Sequence, residues 1–274
     1  MPWRWLLAAG LALAAAPGVR AAAPTDAFPD IARAYWVEID GRPAWAGQPD
    51  QVLPVASLAK LMAALVLVEE ANLDATLATS RAAAAATGTR LGLRAGERFL
   101  ASDLLAAMLV RSANDACRAL ADWHGGGSDA AFVARMNQRA AELGMADTRF
   151  ANACGHDAPG QGSTARDLAL LARAVMQQPR LLEEAARERF EFASLDGRRF
   201  SVRSTNALLG QVPGAIGLKT GYTPGAGRCL VALVERDGHE VLAILLHAPD
   251  RWWDTAGLIE LAFDEARRSP PAPR

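Results

Sequence analysis

Apolar residues along the chain follow two different spacings. Residues 34–40, rich in β-branched and aromatic side chains, then Gly41-Arg42-Pro43, then 44–46, predict an opening hairpin. Residues 57–71 predict a helix, with Pro54 just ahead and Asn72 just after. Helices are also predicted over 102–109, 114–123 and 128–143, the last with Ser128 as N-cap and Gly144 as stop. Thr164-Ala-Arg-Asp167 is a capping-box-like start for a helix reaching about residue 177. The spacing then changes. Residues 216–220, 228–235 and 240–247 predict strands, with Asp237-Gly238 as a hairpin turn, and 252–267 predicts a last helix. Strands, many helices, strands, helix is an α/β (α+β) order. It suggests an antiparallel sheet built from both chain ends with a mostly helical region inserted between.

The two ends carry different signals. Arg4 precedes an apolar stretch over 6–16, too short to span a bilayer comfortably, and Pro17-Gly18 and small residues follow. Residues 1–21 are therefore expected to be a signal peptide, with cleavage after Ala21 or Ala23. Residues 28–267 are the expected folded domain, and 268–274 the expected short flexible tail. No apolar span or basic amphipathic helix follows, so no stable membrane anchor is expected after cleavage, in a periplasmic or secreted protein.

Composition narrows the functions. The 274 residues are 51% hydrophobic and 22% charged, with 29 basic against 30 acidic side chains. That is globular material with a sizeable core, and no basic patch argues for nucleic-acid binding. Removing 1–21 takes away Arg4 and Arg20, leaving 29 − 2 = 27 basic against 30 acidic groups. Cys117, Cys154 and Cys229 are compatible with one disulfide and a free thiol, or with three reduced side chains. No CxxC or Cys/His cluster suggests a metal.

Only Lys60 and Lys219 are lysines among the 29 basic residues. Arginine stays protonated in proteins, whereas lysine gives up its proton when its surroundings lower its pKa. Ser57-Leu-Ala-Lys60 places a serine and a lysine one helical turn apart, at a helix start whose free N–H groups suit a developing oxyanion. Ser112-Ala113-Asn114 supplies a hydroxyl for proton relay and a carboxamide for an amide. Lys219-Thr220-Gly221, followed by Tyr222-Thr223, ends a strand whose edge could pair with an extended peptide, and Gly221 leaves room for close approach. Each motif alone is weak. SxxK, SxN and KTG in this order, with Ser112 55 residues after Ser57 and Lys219 107 after Ser112, form a strong set.

With these residues the sequence resembles the low-molecular-mass penicillin-binding proteins, the D-alanyl-D-alanine carboxypeptidases and endopeptidases. The likeness includes Met108-Leu-Val-Arg-Ser-Ala-Asn-Asp115, Met136-Asn137, Leu143-Gly-Met-Ala-Asp-Thr-Arg-Phe150, Ser163-Thr-Ala-Arg-Asp167, and Gly217-Leu-Lys-Thr-Gly-Tyr-Thr223 with Ala226-Gly-Arg-Cys-Leu230, and covers roughly 28–267. It implies a β-lactamase/DD-peptidase-like fold, a five-stranded antiparallel sheet flanked by helices. It also implies roles. Ser57 would be the acylated nucleophile, Lys60 its general base and Ser112 the relay to the leaving group. Asn114 would hold the substrate amide. Lys219, Thr220 and Thr223 would bind the terminal carboxylate, with Gly221 beside them. The N–H groups of Ser57 and Tyr222 would form the oxyanion hole, and Arg251 falls near a cleft arginine of some members.

Two departures stand out. Asn152-Ala-Cys-Gly-His156 differs from the family's usual run, leaving Cys154 and His156 without a role. The chain also ends soon after the catalytic region, whereas many carboxypeptidases add a β-rich domain and a membrane helix. That leans towards the soluble endopeptidase-like members.

The resemblance implies a substrate, the peptidoglycan stem peptide ending in D-Ala-D-Ala, and covalent inhibition by β-lactams, with no metal or organic cofactor. The alternatives are a DD-endopeptidase, a serine β-lactamase or a non-catalytic wall-peptide binding module. Class A β-lactamases deacylate with a Glu-x-x-x-Asn glutamate, and no Glu here has Asn four positions later. A persistent penicillin adduct is the expectation.

Overall fold

The computed structural model describes residues 24–268, so the expected signal peptide and residues 269–274 fall outside the described residues. In chain order, β1 (Ala34–Ile39) and β2 (Arg42–Gly47) lead into α1 (Ala59–Glu70). Then come β3 (Thr76–Ala78), α2 (Arg81–Ala84), β4 (Arg98–Leu100), α3 (Ala101–Val110), α4 (Asn114–His124) and α5 (Asp129–Glu142). α6 (Ala165–Met176), α7 (Pro179–Ala185), β5 (Arg189–Ala193) and β6 (Arg199–Arg203) follow. The chain returns through β7 (Ala215–Thr223), β8 (Gly227–Arg236) and β9 (His239–Ala248) to α8 (Trp253–Arg268).

The main sheet has the order β2-β1-β9-β8-β7, and its pairs are antiparallel. It joins the two chain ends around the helical region, as the sequence suggests. Both faces are covered, which is why β8 and β9 read as apolar runs rather than alternating strands. On one face Val231, Leu233, Leu242 and Ile244 join α1 and the other helices of the insertion. On the other, Leu230, Ala232, Val241, Ala243 and Leu245 pack on Leu258, Ile259, Ala262 and Phe263 of α8.

The nine residues from Ala59 to Leu67 of α1 are all buried. A helix apolar all round is a core helix, and this one carries Lys60 as its second residue. A 3-10 turn, Ala56–Leu58, precedes it, so the predicted helix start splits into two geometries with Ser57 in the tighter one.

The predicted caps fare differently. Thr164 accepts from the Asp167 N–H and starts α6 as expected. Ser128 occupies the N-cap of α5 as expected, but its side chain makes no capping hydrogen bond. Gly144 ends α5 at φ +76°, a left-handed conformation that glycine adopts without steric cost. The two-stranded sheet β3–β4, the hairpin β5–β6, and helices α2 and α7 are additions to the predicted set.

Candidate active site

Ser57 sits where the sheet's edge strand meets the start of the core helix. The edge is β7, which pairs on one side with β8. Its Gly221 lies against the Ser57 turn: a β-carbon there would stand 3.0 Å from the Val55 oxygen and 3.1 Å from the Ser57 nitrogen. From another direction Gly155 presses on the same turn, where a β-carbon would stand 1.9 Å from the Ala56 oxygen and 2.9 Å from the Ser57 nitrogen. Ala56 itself holds φ +48°, an unfavourable conformation for a residue with a side chain. Two glycines thus clamp a strained turn, and Gly155 was not singled out from the sequence.

Lys60 is fully buried, and its Nζ lies 2.9 Å from Ser57 Oγ. It donates to Asn114 Oδ1 at 2.8 Å and to the Cys154 carbonyl at 2.5 Å. Burial pushes its pKa well below the usual lysine range, and the charge of Lys219 pushes the same way. A neutral amine has two N–H donors and one lone pair. With the two protons on the carbonyls, the lone pair is left for the Ser57 hydroxyl. That is the arrangement of a base poised on a nucleophile.

Asn114 opens α4 and is held on three sides. Its Nδ2 donates to the Thr87 carbonyl at 2.7 Å, its backbone N–H to the Thr89 carbonyl at 2.8 Å, and its Oδ1 receives Lys60. The next residue, Asp115, is buried and accepts from the backbone N–H groups of Leu91, Gly92 and Leu93 at 2.9, 2.8 and 3.0 Å. Asp115 therefore straps the loop through residues 87–93 onto the helix start. The sequence contains it, but gives no signal of that role. Ser112, in the link from α3 to α4, is buried and holds φ +60°. Strained backbone of this kind gathers at functional sites.

Lys219 on β7 is 1% exposed and donates to the Thr220 carbonyl at 3.0 Å. Burial, helped by the Arg251 charge, lowers its pKa to about 7. Thr220 Oγ1 is 2.9 Å from Thr205 Oγ1. Thr223 is committed elsewhere: its Oγ1 donates to Asp157 Oδ1 at 2.6 Å, and the Gly225 N–H donates to Oδ2 of the same carboxylate. Tyr222 is exposed. Arg251 donates to the Gly221 and Cys229 carbonyls and lies over the Trp252 ring at 4.7 Å, so it braces β7 and β8.

The cysteines resolve into one disulfide, Cys117–Cys154, and one buried free thiol, Cys229. Burial pushes the Cys229 thiol up to about 11, which leaves it unreactive at neutral pH. Beside Ser57 a cavity of about 330 Å³ is lined by Val55, Ala56, Gly155, His156, Asp157 and Gln161, among others. His156 is exposed there, with no hydrogen bond to Ser57 or Lys60 among those of the described residues.

The structure thus brings Ser57, Lys60, Asn114, Lys219 and Gly221 together, gives Cys154, left without a role in the sequence, a carbonyl contact to Lys60, and adds Gly155. A half-buried serine paired with a buried lysine, between an edge strand and a core helix, defines the class of active-site serine peptidases. Residues 24–250 match the family described as D-alanyl-D-alanine carboxypeptidase. The chain is 33% identical to D-alanyl-D-alanine carboxypeptidase DacB2 of Mycobacterium tuberculosis, over 86% of this chain and 84% of that protein. It is 33% identical to D-alanyl-D-alanine carboxypeptidase DacC of Escherichia coli over 85% of this chain, spanning 61% of that longer protein. The structure resembles penicillin-binding protein D2 of Listeria monocytogenes in its ampicillin-bound form. The TM-score there is 0.73 and the identity 34%, covering 85% of this chain and 97% of that one. The chain belongs to the D-alanyl-D-alanine carboxypeptidase family of serine peptidases, enzymes that work through a serine acyl-enzyme.

Proposed function

We propose that this chain is a D-alanyl-D-alanine carboxypeptidase acting on peptidoglycan stem peptides, with Ser57 as nucleophile and Lys60 as its base. The observation that carries the reading is the wholly buried Lys60, depressed in pKa and 2.9 Å from Ser57 Oγ.

Ser57 Oγ attacks the carbonyl of the penultimate D-alanine as its proton passes to Lys60. The oxyanion is taken up by the N–H groups of Ser57 and Tyr222. The peptide C–N bond then breaks. The leaving amine receives its proton through Ser112 from Lys60, and the acyl group remains as an ester on Ser57. Asn114 holds the substrate amide, and protonated Lys219 with Thr220 holds the terminal carboxylate. Water activated by Lys60 cleaves the ester.

Penicillin enters the same path, its ring amide being opened by Ser57. Asp157, on the cavity wall beside Ser57, is occupied by Thr223 and Gly225 and so is not free to activate a water, which supports slow release of the adduct. Incubation of wild type and Ser57→Ala with penicillin, followed by intact mass, tests the reading. A persistent one-to-one adduct in wild type alone is expected. An adduct on Ser57→Ala, or fast penicillin turnover by wild type, would overturn it.

Residues 1–21 support export across the cytoplasmic membrane, to where cell-wall substrate lies. N-terminal sequencing of the exported protein should find Ala22 or Pro24 first, and an intact Met1 would contradict export with cleavage. No helix among the described residues is long and apolar enough to cross a membrane.

A further inference from the structure

Both carbonyl acceptors of Lys60 belong to segments joined by one covalent bond. Asn114 is the first residue of α4, and Cys117 follows it by one turn on the same helix. Cys117 is bonded to Cys154, whose own carbonyl receives the other Lys60 proton. The ring runs from Lys60 to Asn114, along one turn of α4, through the disulfide and back to Lys60.

The Cys154 end of this ring has no regular secondary structure. Besides the bond from Lys60, the backbone hydrogen bonds next to Cys154 are local. Asn152 Oδ1 accepts from the Gly155 and His156 N–H groups, and Gln161 Oε1 accepts from those of Ala151 and Asn152. These shape the loop around Cys154, while Asn137 of α5 holds Phe150 at its start and Asp157 ties its far side to Thr223 and Gly225. The bond to Cys117 anchors it to α4. Both sulfurs are buried, at 1% and 5% residue exposure. The next residue, Gly155, is the one pressed on the Ala56–Ser57 peptide. One anchor therefore sets a proton acceptor for the base and a wall for the nucleophile's turn.

We propose that the Cys117–Cys154 disulfide is a positioning element for proton transfer, holding the Cys154 carbonyl where it aims the Lys60 lone pair at Ser57. The inference rests on the reading of Lys60 as base. Catalytic groups need placement to within roughly half an ångström. A loop freed from α4 would let the carbonyl drift and water reach Lys60. Burial is the main reason that Lys60 gives up its proton, so water at Nζ moves its titration upward.

The test is Cys117→Ala/Cys154→Ala in the full mature chain, with acylation by penicillin split into the limiting rate and the non-covalent Kd across pH. The limiting rate should fall about tenfold or more, a share of the roughly 10²–10⁴ that positioned proton transfer supplies. Kd should stay near the wild-type value, and the acid limb of the rate should move to higher pH. A folded variant with wild-type rate and pH profile, even with a lowered Tm, would overturn the proposal, because the bond would then serve stability alone. If that variant is recovered unfolded, Cys117→Val/Cys154→Ala refills part of the sulfur volume and carries the same expectation. Absence of any adduct on wild type would instead overturn the reading of Ser57 and Lys60.

Discussion

Gly155 lies against the carbonyl of Ala56, so close that a β-carbon on Gly155 would stand 1.9 Å from that oxygen. Its φ of +84° adds a second objection to any side chain. Overpacking costs about 1–3 kcal/mol, and the left-handed conformation about 1–2 kcal/mol in a residue other than glycine. Gly155→Ala should lower Tm by several degrees and slow acylation by pushing the Ser57 turn off its place. Gly221→Ala, whose nearest contacts are 3.0 Å, should cost less stability and slow acylation in the same direction. Paired Tm and penicillin-acylation measurements check this. Wild-type values for Gly155→Ala would show that the turn does not depend on the clamp.

Replacing Lys60 separates its chemical role from its structural one. Lys60→Met keeps an unbranched side chain of similar length and removes the base. It leaves Asn114 Oδ1 and the Cys154 carbonyl without their donor, at about 1–3 kcal/mol for each unsatisfied buried group. It also removes a buried amine that resists protonation. Acylation should fall by about 10²–10⁴, the usual worth of general-base help, while the protein stays folded by circular dichroism. Near-normal acylation by Lys60→Met would remove Lys60 from the mechanism.

The residues proposed to carry the chemistry were legible because their types and spacing are local: SxxK within one turn, SxN at a helix start, KTG on a strand. The sheet was legible because β8 and β9 are long apolar runs. What escaped depends on contacts distant in sequence. Nothing in the pattern pairs Cys117 with Cys154, and nothing local says that Gly155 meets Ala56. Asp115 reads as an ordinary acid in a first helical turn until the loop with Leu91 to Leu93 folds over it. β3 and β4 are three residues each, too short to show a period. The β5–β6 hairpin did leave a trace, in Phe190 and Phe192 alternating against Phe200 and Val202 about an Asp196-Gly197 turn. Its rings stack at 5.1 and 4.8 Å in the structure.

The two threonines of the β7 end should separate in function. Thr223 spends its single hydroxyl proton on Asp157, so it has none to offer a substrate carboxylate. Thr220 is paired with another hydroxyl, Thr205, which can be the donor and leave the Thr220 proton free. A hydrogen bond to a charged group contributes about 1.5–3 kcal/mol. Thr220→Val should therefore raise KM for a D-Ala-D-Ala peptide roughly tenfold or more. Thr223→Val should leave KM near wild type and show its effect in Tm, through the lost tie to Asp157. A larger KM effect at Thr223 than at Thr220 would reverse the assignment.

In the proposed mechanism Lys219 sets the pH range over which a carboxylate is held. Burial and the Arg251 charge lower its pKa to about 7 in the free enzyme. A lysine is cationic below its pKa and neutral above it, so the carboxylate site is charged on the acid side and fades as pH rises through about 7. Lys60 acts in the opposite sense, being competent only above its own depressed pKa. kcat/KM for a peptide with a free C-terminus should therefore be bell-shaped, rising as Lys60 loses its proton and falling as Lys219 loses its own. A bound carboxylate favours the charged form of Lys219, so the falling limb should appear in KM and move to higher pH in kcat. Arg251→Met removes a neighbouring cation and should move that limb upward in pH, even as the brace on Gly221 is lost. An ester substrate without the terminal carboxylate should lack the KM limb near pH 7. If both substrates show the same falling limb, Lys219 is not reading the carboxylate.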